Sequence, residues 1–159
     1  MPNFITSIQQ DLDLFDRAIL NLVQRNNQLS HAAIGEQVGL SASAVRRRLG
    51  TLRTRGVIMG DVSLLDASTA GETLLVTISF AEESPEIYAA FERQMMGCGE
   101  VRQCYHIAGQ SDYFLVVSAP SLRHYEEWSI RELMSNPAIR RYDTTVVWSC
   151  KKFETAIPL

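Results

Sequence analysis

Leu12, Phe15, Ile19, Leu20, Leu22 and Val23 recur at three- and four-residue steps, the period of a helix with one buried stripe. They predict an amphipathic helix from about Asp11 to Arg25, which Asn26-Asn27 ends. Ser30 is a good N-cap for a second helix carrying Ile34 and Val38, and Gly39 stands where a left-handed residue would stop it. Ser41 caps a third, whose buried stripe is Val45, Leu49 and Leu52 and which lasts to about Arg55 before Gly56. Three short helices with a tight glycine turn between the last two make a helix-turn-helix.

The pattern then changes period. Val57 to Gly71 is weakly patterned and punctuated by Gly60, Asp61 and Asp66, which predicts a strand or linker. Leu74, Val76, Ile78 and Phe80 alternate with Leu75, Thr77 and Ser79, as in a strand. Pro85 opens a helix bearing Ile87, Phe91 and Met95 that stops near Gly97-Cys98-Gly99. Residues 100–108 and Asp112 to Ala119 read as a hairpin around Gly109-Gln110-Ser111. Ser121 caps a helix with Leu122, Tyr125, Trp128 and Leu133, closed by Asn136-Pro137, and Tyr142 to Ser149 forms a last strand. The order β-α-β-β-α-β predicts a ferredoxin-like arrangement of two helices on one face of a four-stranded antiparallel sheet. The expected fold class is α+β, with a helix-turn-helix domain over residues 1–60, a linker over 61–72 and the ferredoxin-like domain over 73–159.

Charge separates the two halves further. Residues 1–60 hold seven arginines against four acids, a balance of +3, whereas the remainder carries −6, for a net charge of −3. A basic head on an acidic body suggests a nucleic-acid module joined to something with another task. No apolar run approaches the ~20 residues of a membrane span. The opening Met1-Pro2-Asn3-Phe4 lacks a basic start followed by an apolar stretch, so a cytoplasmic protein is expected. Cys98, Cys104 and Cys150 form no C-x-x-C pair and have no histidine pair nearby, which argues against a disulfide framework or a zinc site. The chain carries no G-x-S-x-G, P-loop, H-E-x-x-H or G-x-G-x-x-G, so neither an enzyme nor a cofactor is expected.

The candidate chemistry lies on the third helix. At about 100° per residue, the stripe Val45, Leu49 and Leu52 leaves Ser43, Arg47, Gly50, Thr51 and Thr54 pointing outward, with Arg46 and Arg48 on opposite flanks. The stretch from Gln37 to Gly60 holds five arginines and no acid. A major groove admits a helix, and an arginine there can bond guanine in bidentate fashion, so Ser43 and Arg47 suit bases. Arg46, Arg53 and Arg55 suit phosphates, with Ser41 at the helix start beside them. Arg48, nearer the core, is expected to bond either its own domain or a nearby phosphate. Gly50 inside a helix costs ~1 kcal/mol relative to Ala, and close approach of another surface is a reason to keep it.

These residues carry a resemblance. The run Val38-Gly39-Leu40-Ser41, with Val45, Arg48-Leu49, Leu52 and Gly56-Val57-Ile58, resembles the winged helix-turn-helix of the Lrp/AsnC (feast/famine) transcriptional regulators. Leu12-Asp13, Asp16 and Ile19-Leu20 are similar to that family's first helix, and Cys104 to Tyr113 to its effector-domain hairpin. The resemblance implies a homodimer assembling to a tetramer or octamer, which binds double-stranded DNA with the first domain and a small effector, typically an amino acid, with the second. It places the effector beside the hairpin loop, on Gly109, Ser111 and Asp112. There a carboxylate would take the ammonium group and backbone N–H groups the carboxylate. The chain departs from the family at Gly35, expected to loosen the second helix, at Arg53, often acidic, and at Ala108, often Thr.

Two other readings fit part of the chain. Some proteins similar to this family are haem-pathway decarboxylases, for which His106, Arg102 and Arg141 would be the candidates here. A nucleoid-organising protein would keep the basic helix and need no effector loop.

Overall fold

Asp13, Ser30 and Ser41 each accept a hydrogen bond from a backbone N–H three residues on, and these side-chain caps start the three helices of the N-terminal region. The computed structural model describes residues 12–66, 69 and 71–159. The opening residues, Asp11 as a helix start and part of the expected linker lie outside them. By their contacts the chain divides into two units, one running up to Ser63 and including Lys152–Leu159, the other Leu64–Lys151.

The first unit holds α1 (Leu14–Val23), α2 (His31–Val38) and α3 (Ala42–Thr54). Ile19, Ile34, Val45 and Leu49 form its core, with Ile58 packed against it. Gly39 closes α2 in the left-handed conformation, φ 72°. Gly35 does something other than loosen α2. A Cβ there would lie 2.3 Å from the Leu40 carbonyl oxygen, and Leu40 N–H donates to the Gly35 carbonyl at 2.9 Å, so the turn into α3 closes directly on this glycine. Phe15, expected in the buried stripe of α1, is 42% exposed, while Asp16 is buried. The stretch after α3 forms no strand among its described residues. Instead Val57 and Ile58 N–H both turn back onto the Leu52 carbonyl.

The second unit has β1 (Glu72–Phe80), α4 (Pro85–Gly97), β2 (Val101–His106), β3 (Tyr113–Ala119), α5 (Leu122–Ser129) and β4 (Ile139–Val146). A π-helical turn, Ile130–Met134, extends α5. The antiparallel sheet runs β2-β3-β1-β4, the ferredoxin-like order, with Leu74 opposite Val117 and Val146. Leu74, Val76, Ile78, Leu115 and Val117 face Phe91, Met95, Trp128 and Leu133 in the core. Alternation sends Leu75, Phe114 and Val116 to the opposite face, where they are half-buried. Leu122, at the start of α5, is exposed, whereas Tyr125, Trp128 and Leu133 are buried. The final strand begins at Ile139, earlier than Tyr142, because Phe80 pairs with Ile139 across an irregularity in β1, and it ends at Val146 rather than Ser149.

By its contacts the tail groups with the first unit, although the expected second domain runs to residue 159. Gln24 on α1 pairs its side-chain amide with the Ile157 backbone in both directions, donating from Nε2 to the carbonyl at 2.8 Å and accepting the N–H on Oε1 at 2.9 Å. A glutamine amide offers the same donor and acceptor as a peptide group, so the tail attaches to the first unit without a sheet.

Candidate nucleic-acid interface and effector loop

Three consecutive arginines on a helix point in three directions, and packing decides which of them stays available. Arg48 faces α1, where its Nη1 lies 2.7 Å from Asp13 Oδ2 and 2.8 Å from Asp16 Oδ1, with its guanidinium over the Phe15 ring at 5.4 Å. This explains both departures in α1: Asp16 turns inward to meet a cation, and Phe15 remains at the surface beneath it. The Asp16 backbone N–H that Asp13 caps holds the Asp13 carboxyl below its ordinary range, with Arg48 adding to the effect. Arg48, read from sequence among the DNA-binding residues, is therefore joined to its own domain, the first of its two expected alternatives.

Arg46 and Arg47 are exposed, and their guanidiniums have no hydrogen bond or ion pair among the described residues. With Ser41, Ser43, Ala44 and Gly50 they line an open depression of about 630 Å³. Ser41 Oγ caps α3 and lies 3.0 Å from Ser43 Oγ, so the two hydroxyls form one polar group at the helix start. A Cβ on Gly50 would meet nothing within 4 Å. Arg53 is paired with Asp61 at 3.0 Å, both about half exposed, a contact that competing phosphates can break at little cost.

The hairpin loop is held from below. Asp112 Oδ2 accepts the Phe80 N–H at 2.8 Å, Oδ1 accepts the Tyr88 hydroxyl at 3.1 Å, and its N–H donates to the Ile78 carbonyl at 2.8 Å. The carboxylate expected to take an ammonium group is thus engaged at both oxygens inside its own unit. Gly109 and Gln110 are exposed and Ser111 is half-buried at the loop tip. Burial and the neighbouring Asp112 push the Tyr88 hydroxyl up from its ordinary range. Spacing alone gave no sign of this clasp, since its partners are 24 and 32 residues apart.

The side chains named for a decarboxylase are not brought together. Arg102 and His106 lie on β2 at one edge of the sheet and Arg141 on β4 at the other. His106 stacks on Tyr113 at 4.8 Å, and Arg141 pairs with Asp143 at 2.8 Å. Burial, and then Glu92, push the Cys104 thiol up to about 11, the condition of an unreactive thiol. Among the described residues no group of His, Cys, Asp and Glu could hold a metal ion. None of their helices is long and apolar enough to cross a membrane.

The chain is similar to known proteins along most of its length. An uncharacterized HTH-type transcriptional regulator of Sinorhizobium fredii is 36% identical over 94% of this chain and 89% of its own. The crystal structure of an AsnC family transcriptional regulator from Agrobacterium tumefaciens superposes with a TM-score of 0.84 at 30% identity, covering 92% of this chain and 96% of that one. A transcriptional regulator of Neisseria meningitidis, solved as a complex with L-Met, shares the fold with a TM-score of 0.85 at 24% identity over 92% and 96% of the two chains. The model of the AsnC-type helix-turn-helix domain matches residues 12–53 and that of the Lrp/AsnC ligand binding domain residues 73–157, in the order in which the two units lie. The chain belongs to the Lrp/AsnC family of DNA-binding transcriptional regulators.

Proposed function

We propose that α3 reads duplex DNA through the major groove, with Ser43 and Arg47 at base edges and Ser41, Arg46, Arg53 and Arg55 on phosphates, while Arg48 holds α1 to α3. The observation that carries this reading is an exposed helix face whose two central guanidiniums have no partner among the described residues. An arginine without an internal partner keeps its donors for a planar acceptor pair such as guanine O6 and N7. A homodimer would present two copies of α3 about one helical turn apart, roughly 34 Å, to a pseudo-palindromic site. Selection from a random duplex pool, followed by binding titrations in several salt concentrations, tests the assignment. Arg47→Ala should lose the preferred site by ~10-fold or more while keeping its melting temperature. Undiminished specific binding by that variant would remove Arg47 from the base-reading set.

The second unit is read as the sensor of a small effector, an amino acid, held at the loop 109–112. Here Gly109 and Ser111 contact the ligand and Asp112 acts as a positioning residue. Two features support this: the loop tip is exposed above a rigid clasp, and the Neisseria relative of the same fold was solved with L-Met. Effector binding would shift oligomeric state or DNA affinity by a coupling of ~1–3 kcal/mol. Association beyond the dimer, to a tetramer or octamer, and a cytoplasmic location complete the reading. A regulator, not an enzyme, fits a chain whose named relatives are transcriptional regulators.

A further inference from the structure

C-terminal to Arg47, the outward face of α3 offers a base pair no free hydroxyl donor. Thr51 Oγ1 donates to the Arg47 carbonyl at 3.1 Å and Thr54 Oγ1 to the Gly50 carbonyl at 3.1 Å, so both hydroxyls are turned back into the helix. Gly50, one turn before Thr54, has no side chain, and nothing in the chain needs its absence, because a Cβ would stand in open space. Its φ is not in the left-handed region either. Neither packing nor backbone conformation within the chain therefore accounts for a glycine inside a 13-residue helix. What the face presents at Gly50 is a shallow notch of bare backbone whose carbonyl is covered by the Thr54 hydroxyl one turn on. In the major groove one base group is apolar and protrudes, the C5-methyl of thymine.

We infer that Gly50 is the point of closest approach to the groove floor, and that it seats a thymine methyl beside the base read by Arg47. This rests on the DNA-reading function proposed above. Arg47 then supplies the hydrogen-bonded half of the recognition and the Gly50 notch the shape-dependent half. At the notch, adenine, guanine and cytosine are disfavoured because none carries a methyl group that fills it.

The test uses the full-length protein and duplexes it selects from a random pool, with each thymine of the selected half-site replaced in turn by deoxyuridine, which differs only by that methyl. For one thymine the replacement should weaken binding by the wild type about 4-fold, the worth of one buried methyl group. Gly50→Ala should raise the melting temperature and weaken binding to the thymine duplex by ~10-fold or more, and deoxyuridine at that position should restore part of the loss. Gly50→Ala binding the selected duplex as tightly as wild type would overturn the inference. So would a loss that no deoxyuridine position relieves. If the wild type selects no duplex, the DNA reading itself falls and the inference with it. If Arg47→Ala loses specificity while Gly50→Ala keeps it, the DNA reading stands and the inference alone ends.

Discussion

At the scale of single residues, neighbours in sequence take opposite roles according to what packing sets beside them. Arg47 and Arg48 are adjacent, yet one is exposed at the surface and the other is held between Asp13 and Asp16. The clasp makes stability depend on pH in a definite direction. The Asp13 pKa is lowered in the folded chain, so its contribution is complete above the unfolded value of ~3.9 and is lost as pH falls through the folded one. Asp13→Asn keeps a side chain able to cap α1 but removes the charge facing Arg48. Its melting temperature should lie below the wild type's at pH 7, and the gap should close as pH falls below ~4. A gap that stays constant across that range would show the ion pair to be without effect on stability.

At the scale of elements, the helix-turn-helix depends on one close approach and the effector hairpin on one clasp. Gly35 lets the Leu40 carbonyl come within 2.3 Å of where a Cβ would be, which fixes the path from α2 into α3. Asp112 ties its loop to the end of β1 and to Tyr88 on α4, so the loop is positioned before any ligand arrives. The two kinds of loop residue should therefore separate in a thermal-shift screen against the twenty amino acids. A ligand at 100 times its Kd adds ~2.7 kcal/mol of stability, which is a readable shift. Asp112→Ala should lower the melting temperature even without ligand, by leaving the Phe80 N–H and the Tyr88 hydroxyl without their acceptor. Ser111→Ala should keep it and lose the ligand-dependent shift. An unaltered shift in Ser111→Ala would move the effector away from this loop.

At the scale of the whole molecule, the second unit leaves one sheet face without helices. Leu75, Phe114 and Val116 are only half-buried there, with Tyr105 beside them in register with Phe114. A second copy would cover an apolar sheet face of this kind, and a two-fold axis would set Phe114 against the same patch on its partner. Phe114→Asp should shift sedimentation at micromolar concentration toward the monomer and reduce the affinity for a two-half-site duplex far more than for a single half-site. A wild type that sediments only as a monomer would exclude this face as an interface.

The division between what was legible in sequence and what was not follows the range of the forces involved. Helix starts at Ser30 and Ser41, the left-handed stop at Gly39, the alternation of β1 and the β-α-β-β-α-β order were all readable, because caps and periodicity act over a few residues. The outward face of α3 was readable for the same reason, since a buried stripe at Val45, Leu49 and Leu52 fixes the opposite side. The partner of Arg48, the inward Asp16, the clasp around Asp112 and the start of β4 were not. Each depends on groups from distant parts of the chain. The attachment of the tail to Gln24 spans 133 residues and rests on two hydrogen bonds that leave no periodic trace. Local propensity and periodic burial made the elements, their order and the exposed basic helix readable along the chain. The tertiary structure alone decided which charges are already partnered and which remain for a ligand, because pairing requires two groups to be brought within a few ångströms, and only the packed fold does that.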